Sequence, residues 1–155
     1  DLTIQCKYES YSLLERYYIM LAASHTNLRD NMKKYNNFDL HFLFDLKSER
    51  IQFLHANYVH PLKQDLVQEL QQYFQRDSNV KTAIVFGSGV KFRCNSYSDL
   101  DICIERYSLD KPFHYQAGDD GSAIDVLYAD QIGERLRREI EEKGIVVYDK
   151  EGDCV

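Results

Sequence analysis

The chain has 155 residues, 44% of them hydrophobic and 28% charged, with a formal net charge of -6. This length can build one full core with a helical appendage and excludes two large domains. The acidic balance argues against long nucleic acid as a partner, because such binders present clustered basic surface. A triphosphate is still a candidate ligand, since a small anion responds to a local site and its metal rather than to net charge.

Cysteine usage and hydropathy narrow the class of protein further. The four cysteines lie far apart and form no C-x-x-C pair, so their spacing indicates neither a zinc site nor a disulfide framework: Cys6, Cys94, Cys103 and Cys154. No stretch reaches the apolar length of a membrane helix, and the start lacks the pattern of a signal peptide. We therefore predict a cytoplasmic protein with reduced thiols and no membrane contact.

The first part of the chain, up to about residue 80, is Tyr-rich and has helical periodicity. Apolar residues recur at helical spacing over residues 11–34 and predict one or two amphipathic helices, which a polar break at 36–39 ends. We predict a further helix over 48–58 and another that begins at Pro61. In that last helix one face is apolar, formed by Leu62, Leu66, Leu70, Tyr73 and Phe74. The other face is polar, formed by Lys63, Gln64, Gln68, Gln71 and Gln72.

Beyond residue 80 the pattern changes to short strands. The apolar run 82–86 and the segments 100–104 and 123–128 have the composition and the period of β-strands.

A helix and a last extended segment close the chain. Asp130 is predicted to cap a helix over 131–142, which Gly144 ends. Residues 145–148 are then expected to be extended, and the Gly-Asp-Asp-Gly sequence at 118–121 is typical of a surface turn.

Three aspartates form the most informative constellation of the sequence. Asp99 and Asp101 are separated by one residue, so on a strand both side chains point to the same face, and Asp125 lies on the next strand. Magnesium prefers a few carboxylates together with phosphate oxygens and water. A third carboxylate can complete a two-metal site for phosphoryl-type transfer, which activates the attacking oxygen and stabilises the leaving pyrophosphate.

A Gly-Ser pair precedes the first of these aspartates, and ten residues lie between Ser88 and Asp99. Gly87 lets the backbone approach a phosphate closely, and Ser88 offers a hydroxyl and an amide to its oxygens. The Gly-Ser pair and the Asp-x-Asp motif are each weak evidence alone, because both are common in turns and at strand ends. The spacing and the strand context together indicate a site for a metal–triphosphate complex.

With these motifs, residues 62–149 resemble the minimal nucleotidyltransferases of the polymerase β-like superfamily. The matching segments are Phe86-Gly87-Ser88, Ser98-Asp99-Leu100-Asp101, Ile124-Asp125-Val126 and the segment from Lys143 to Tyr148. The resemblance implies an α+β fold with a small mixed β-sheet flanked by helices. The predicted organisation is a helical N-terminal segment over 1–61 and a nucleotidyltransferase domain over 62–155.

The resemblance also implies the roles of the site residues. The catalytic residues, which bind two Mg²⁺ ions, are Asp99, Asp101 and Asp125. The residues that bind the nucleotide donor, ATP or another NTP, are Gly87, Ser88, Lys91 and Ser98. The reaction implied is transfer of a nucleoside monophosphate to an acceptor.

The loop after the Gly-Ser pair departs from the family pattern. Where the family usually has Ala-Arg-Gly, this chain has Val90-Lys91-Phe92. Lysine can meet a phosphate as a point charge but lacks the bidentate fork of arginine. Phe92 in place of glycine is expected to restrict the loop and narrow the pocket.

Arg50 and His55 form an Arg-x4-His sequence on the predicted helix over 48–58. This arrangement resembles the motif of HEPN ribonucleases, helical proteins that often accompany minimal nucleotidyltransferases. There the arginine would stabilise phosphate charge and the histidine would handle a proton. The alternative, which the short match favours, is an exposed helix on which Arg50 and His55 have no shared function.

Two functions follow from the sequence as hypotheses. The first is a metal-dependent enzyme that transfers AMP, or another nucleotide, to a hydroxyl of a protein or a small molecule. It would be antitoxin-like if the acceptor is a toxic partner such as a HEPN-type toxin. The second is a catalytically weakened module that acts by binding another protein through its Tyr-rich helices. The acceptor, the preferred base and the oligomeric state stay open.

Overall fold

The structure, a computed structural model, describes residues 42–116 and 123–152. The predicted helices over 11–34 and the turn at 118–121 lie outside these ranges, as do Cys6 and Cys154. Within them the elements are, in chain order, α1 (Pro61–Arg76), β1 (Val80–Phe86), β2 (Leu100–Arg106), β3 (Ile124–Tyr128), α2 (Glu134–Lys143) and β4 (Ile145–Asp149). The helix from Pro61, the three strands and the last extended segment are therefore confirmed.

The strands form one mixed sheet in the order β3-β2-β1-β4. β1 runs antiparallel to β2 and β4, whereas β2 and β3 are parallel. The result is the predicted α+β fold, a small mixed sheet flanked by helices.

The two helices cover opposite faces of the sheet. Alternate residues of β1 divide between two hydrophobic clusters, because side chains on a strand point alternately to its two faces. Ala83 and Val85 belong to the cluster that contains Leu70 of α1. Ile84 and Phe86 belong to the cluster that contains Ile140 of α2. A central strand covered on both faces explains why 82–86 is an almost unbroken apolar run.

The polar face predicted for α1 is wrong in part. Lys63, Gln64 and Gln71 are buried, whereas Leu62 is 50% exposed. The side chain of Gln64 accepts a hydrogen bond from the Lys47 amide at 2.7 Å and donates to the Asp45 carbonyl at 3.0 Å. Gln64 is thus covered by the chain that precedes the helix, whereas Gln71 donates to the Val147 carbonyl of β4 at 3.2 Å.

The helix predicted over 48–58 is also wrong. The segment consists of turns with one 3₁₀ turn, Ala56–Tyr58, and His55 has left-handed backbone with φ of 56°. Its backbone groups find partners outside a helix, since the Gln52 amide donates to the side chain of Gln68 at 2.6 Å. An apolar periodicity could not reveal this, because the competing acceptor, the Gln68 side chain, belongs to α1.

The predicted N-cap of α2 needs correction as well. The helix begins at Glu134 with Gly133 as N-cap, and Gln131 lies in the preceding 3₁₀ turn. Asp130 does not cap it, because its carboxylate accepts hydrogen bonds from Arg106 at 3.1 and 3.2 Å. Gly144 ends the helix as predicted.

Over the two described stretches, neither helix has the length and apolar character that crossing a bilayer requires.

Candidate functional site

The sheet register places two of the predicted aspartates side by side. In the parallel pair of β2 and β3, Asp101 lies directly opposite Asp125. In the antiparallel pair of β1 and β2, Asp101 lies opposite Phe86, the last residue before Gly87. One end of the sheet therefore brings together the Gly-Ser turn and both carboxylates.

These side chains share the face that α2 covers. Cys103 and Leu127, two residues beyond Asp101 and Asp125, both pack in the cluster that contains Ile140 of α2. Because strand side chains repeat every two residues, the two aspartates point to this same face. Asp101 is half-buried, and Asp125 is exposed.

Asp99 lies just outside the strand. β2 begins at Leu100, and Asp99 is exposed in the residue before it. Because Asp99 is not a strand residue, the alternation of side chains along β2 does not by itself put Asp99 on the same face as Asp101.

Gly87 meets a requirement that no other residue satisfies easily. It has left-handed backbone with φ of 68°, and a Cβ built there would overlap the Oδ2 atom of Asp101. A side chain would be strained by the backbone and would push the carboxylate away. The backbone of the Gly-Ser turn consequently lies directly against the Asp101 carboxylate.

The electrostatic environment of Asp101 is crowded with negative charge. Its pKa is raised from the ordinary value of 3.8, first by burial and then by the carboxylates of Asp125, Asp99 and Glu139, while Lys91 opposes the rise. Such a gathering disfavours ionised Asp101 until a cation arrives. This end of the sheet is therefore suited to binding a positive ion.

Lys91 and Ser98 lie at this site with protein partners of their own. The Lys91 ammonium forms an ion pair with Glu139 of α2 at 3.9 Å. Ser98 is half-buried, and its carbonyl accepts a hydrogen bond from the Lys63 ammonium. Lys91 is thus balanced by a carboxylate that a phosphate would have to replace.

Sequence reasoning missed Lys63 as a residue near the site. Lys63 shares the spacing i, i+4, i+7, i+11 with Val67, Leu70 and Phe74, which are all buried. Val67 was left out of the predicted apolar face, so this buried stripe, and the lysine at its start, went unnoticed.

The three carboxylates do not form a metal cage by themselves. Across 42–116 and 123–152, no group of three or more His, Cys, Asp or Glu side chains is arranged to hold a metal ion. Magnesium is commonly held by one or two carboxylates with substrate phosphates and water, not by an all-protein cage. The paired Asp101 and Asp125, with the Gly87 backbone against Asp101, fit an ion that arrives with a phosphate ligand.

The loop after the Gly-Ser pair, which departs from the family pattern at Val90-Lys91-Phe92, is packed into the domain. Val90 ends the 3₁₀ turn Gly87–Val90 and is buried. The Phe92 ring stands 6.0 Å from the Phe42 ring, measured between centroids. The aromatic residue that replaces glycine therefore contributes to packing outside the sheet end.

Arg50 and His55 do not lie on one helix. Arg50 is exposed in a turn, whereas His55 is half-buried and its Nδ1 lies 2.9 Å from the Val146 carbonyl. Burial lowers the pKa of His55, and the hydrogen bond to Val146 partly offsets this. The helical context expected of the Arg-x4-His motif is absent from this segment.

Comparison with known proteins adds one finding. The sequence model of the family described as "Polymerase beta, Nucleotidyltransferase" matches residues 68–153, more than half of the chain. The match spans the Gly-Ser turn and all three aspartates. No curated protein matches the chain.

Proposed function

The chain belongs to the polymerase β nucleotidyltransferase family, and we propose that it transfers a nucleoside monophosphate, AMP from ATP in the first instance, to an acceptor hydroxyl. The observation that carries the proposal is the register of Asp101 against Asp125 beside the left-handed Gly87. This juxtaposition puts carboxylates and a close backbone approach at one place, which is what a metal–triphosphate complex needs.

Each site residue then has a defined task. Asp99 and Asp101 would hold the donor-side magnesium, and Asp125 would serve a second ion and polarise the acceptor hydroxyl. When bound, the two ions neutralise the triphosphate and favour ionisation of the acceptor. The Gly87 and Ser88 backbone holds the β and γ phosphates, together with the Lys91 charge and Ser98. The acceptor oxygen bonds to the α-phosphorus, the bond from the α-phosphorus to the bridging oxygen of pyrophosphate breaks, and the hydroxyl proton passes to water.

The proposed acceptor is a hydroxyl of a partner protein, with a small molecule as the rival acceptor for the same reaction. A toxic partner, of which a HEPN-type protein is one candidate, would make the chain antitoxin-like. A cytoplasmic location agrees with such a role and stays a prediction.

A second function has specific support. Lys91 is engaged by Glu139, and the family's Ala-Arg-Gly triplet is replaced by Val90-Lys91-Phe92. Both features weaken donor binding, because a phosphate must compete for the lysine and no arginine fork is present. The alternative is a nucleotidyltransferase-fold module that acts by binding a protein.

Calorimetric titration separates the two functions. Each of the four NTPs is titrated into the full chain with and without Mg²⁺, and into an Asp99→Ala/Asp101→Ala variant. We expect magnesium-dependent binding of one NTP that the variant loses. The matched control, Asp65→Asn/Asp110→Asn, removes two exposed carboxylates away from the site and should bind like the native chain. If the native chain binds no NTP at millimolar concentration, the proposed enzyme function is wrong and the protein-binding module is favoured.

A further inference from the structure

Lys63 is a charged residue buried where the fold gives it little compensation. It lies in the first turn of α1, only 5% exposed, and its ammonium donates to the Ser98 carbonyl. It takes part in none of the ion pairs of the described residues. Among the described residues the ammonium meets a carbonyl and no carboxylate, and burying it in this way is costly, so an apolar residue here would be expected to serve the core better.

The start of α1 also holds the other end of the loop over residues 89–98, which joins the Gly-Ser turn to Asp99. The His60 amide, just before the helix, donates to the Gly89 carbonyl at 2.8 Å. Gly89 follows the Gly-Ser pair, and Ser98 precedes Asp99. The start of α1 is therefore bonded to both ends of the loop that joins the phosphate-binding turn to the aspartates.

Asp99 lies between two fixed backbone points. On one side is the Ser98 carbonyl, held by Lys63. On the other, the Leu100 amide donates to the Ala123 carbonyl at 3.0 Å and ties the strand entry to β3. The Ser98 carbonyl belongs to the planar peptide unit that carries the Asp99 amide. Holding that oxygen sets the direction in which the Asp99 side chain leaves the backbone.

From this geometry we infer that Lys63 is a positioning residue, which fixes the Ser98–Asp99 peptide so that Asp99 lies beside Asp101. The inference rests on the proposed function, in that it names what aligns the donor-side carboxylates. Lys63 need not touch the nucleotide, because it acts through the Ser98 carbonyl. A flexible stem with three donors suits this task, since it reaches a carbonyl from beneath the loop.

Two Lys63 variants and one control test the inference. Lys63→Met keeps the stem and removes the donors, and Lys63→Arg keeps a cation. The control is Gln71→Leu on the same helix, where a buried amide donates to the Val147 carbonyl at 3.2 Å, far along α1 from the loop. It reports what losing a buried polar group from α1 does to stability alone.

Two readouts are taken on the full-length variants. Hydrogen exchange of the amides at 95–99 is measured without nucleotide, and Mn²⁺ and Mg·NTP affinities are measured by paramagnetic resonance and calorimetry. Lys63→Met should exchange faster at 95–99 and bind both ligands about tenfold more weakly, as when a residue that orients metal ligands is removed. Lys63→Arg should recover most of the affinity, and Gln71→Leu should leave both readouts unchanged.

The outcomes separate failure of the inference from failure of the proposed function. Native exchange at 95–99 and native affinities in Lys63→Met would overturn the positioning role. If the native chain binds no NTP, the proposed function fails, and loop exchange alone then decides the inference, with faster exchange in its favour and unchanged exchange against it. If Lys63→Met does not fold, Lys63→Gln, which keeps a donor but not the charge or reach, replaces it with the same expectations.

Discussion

The two ends of β2 treat charge in opposite ways. At the far end, the Arg106 guanidinium is buried and paired: it binds the Asp130 carboxylate at 3.1 Å, donates to the Lys111 carbonyl and lies 3.7 Å from the Tyr128 ring centre. Among the buried side-chain nitrogen and oxygen atoms of the described residues, only its Nε lacks a hydrogen-bond partner. At the near end, Asp101 meets other carboxylates and one lysine that is already paired. Removing one partner of a buried pair is costly to a fold, whereas the carboxylates left in mutual repulsion are, in our proposal, neutralised by a bound cation.

The sharpest test of this contrast is Asp101→Asn. We expect nucleotidyl transfer to fall roughly 1000-fold, the scale seen when a main electrostatic contributor is removed. A raised native pKa means that the carboxyl's contribution to stability is present below pH 3.8 and lost as pH rises through the native value. At neutral pH the ionised carboxylate destabilises the fold, so the variant should be more stable by about 0.5–1 kcal/mol.

Thermal unfolding and transfer of labelled nucleotide measure both effects. Asp110→Asn, an exposed aspartate beyond the other end of β2, is the control and should change neither. Lost activity combined with lower stability would contradict the view that Asp101 is retained at a cost to the fold.

The opposite end should respond to Arg106→Met with a loss of stability. Removing one member of a buried ion pair leaves its partner uncompensated, and with Asp130 still partly exposed we expect about 2–3 kcal/mol. Denaturant unfolding measures it. Arg138→Met, whose i, i+4 partner Glu134 is equally exposed, should cost less than about 0.5 kcal/mol. Equal losses in the two variants would remove the distinction between the ends.

Gly87→Ala tests the close approach of the turn to Asp101. The left-handed backbone alone should cost about 1–2 kcal/mol with a Cβ present. Displacement of the carboxylate should also weaken Mg·NTP binding, by about tenfold. Gly133→Ala is the control, since a Cβ there meets no atom within 4 Å. Unchanged nucleotide affinity in Gly87→Ala would show that the turn does not set the position of Asp101.

The sheet end could be predicted from sequence because its signals are local. The Gly-Ser turn follows β1, and Asp101 and Asp125 are each the second residue of a strand, so strand pairing is enough to bring them together, whereas Asp99 precedes β2. The helix over 48–58 could not be judged in this way, because the group that competes for its backbone, the side chain of Gln68, belongs to α1. The contact of Lys63 could not be predicted for the same reason: its partner, the Ser98 carbonyl, lies 35 residues away in the sequence.

The smallest expected effect concerns the ion pair that links the two kinds of charge. Glu139 engages Lys91 at 3.9 Å and also adds negative charge near Asp101. Glu139→Gln removes a competitor for the lysine and should raise NTP affinity about threefold, the scale of one exposed ion pair. Calorimetry in magnesium measures it, with Glu142→Gln on the same helix as a charge-matched control. A weaker affinity in Glu139→Gln would instead mean that the pair holds Lys91 in place for the phosphate, so that the near end too depends on internal balance.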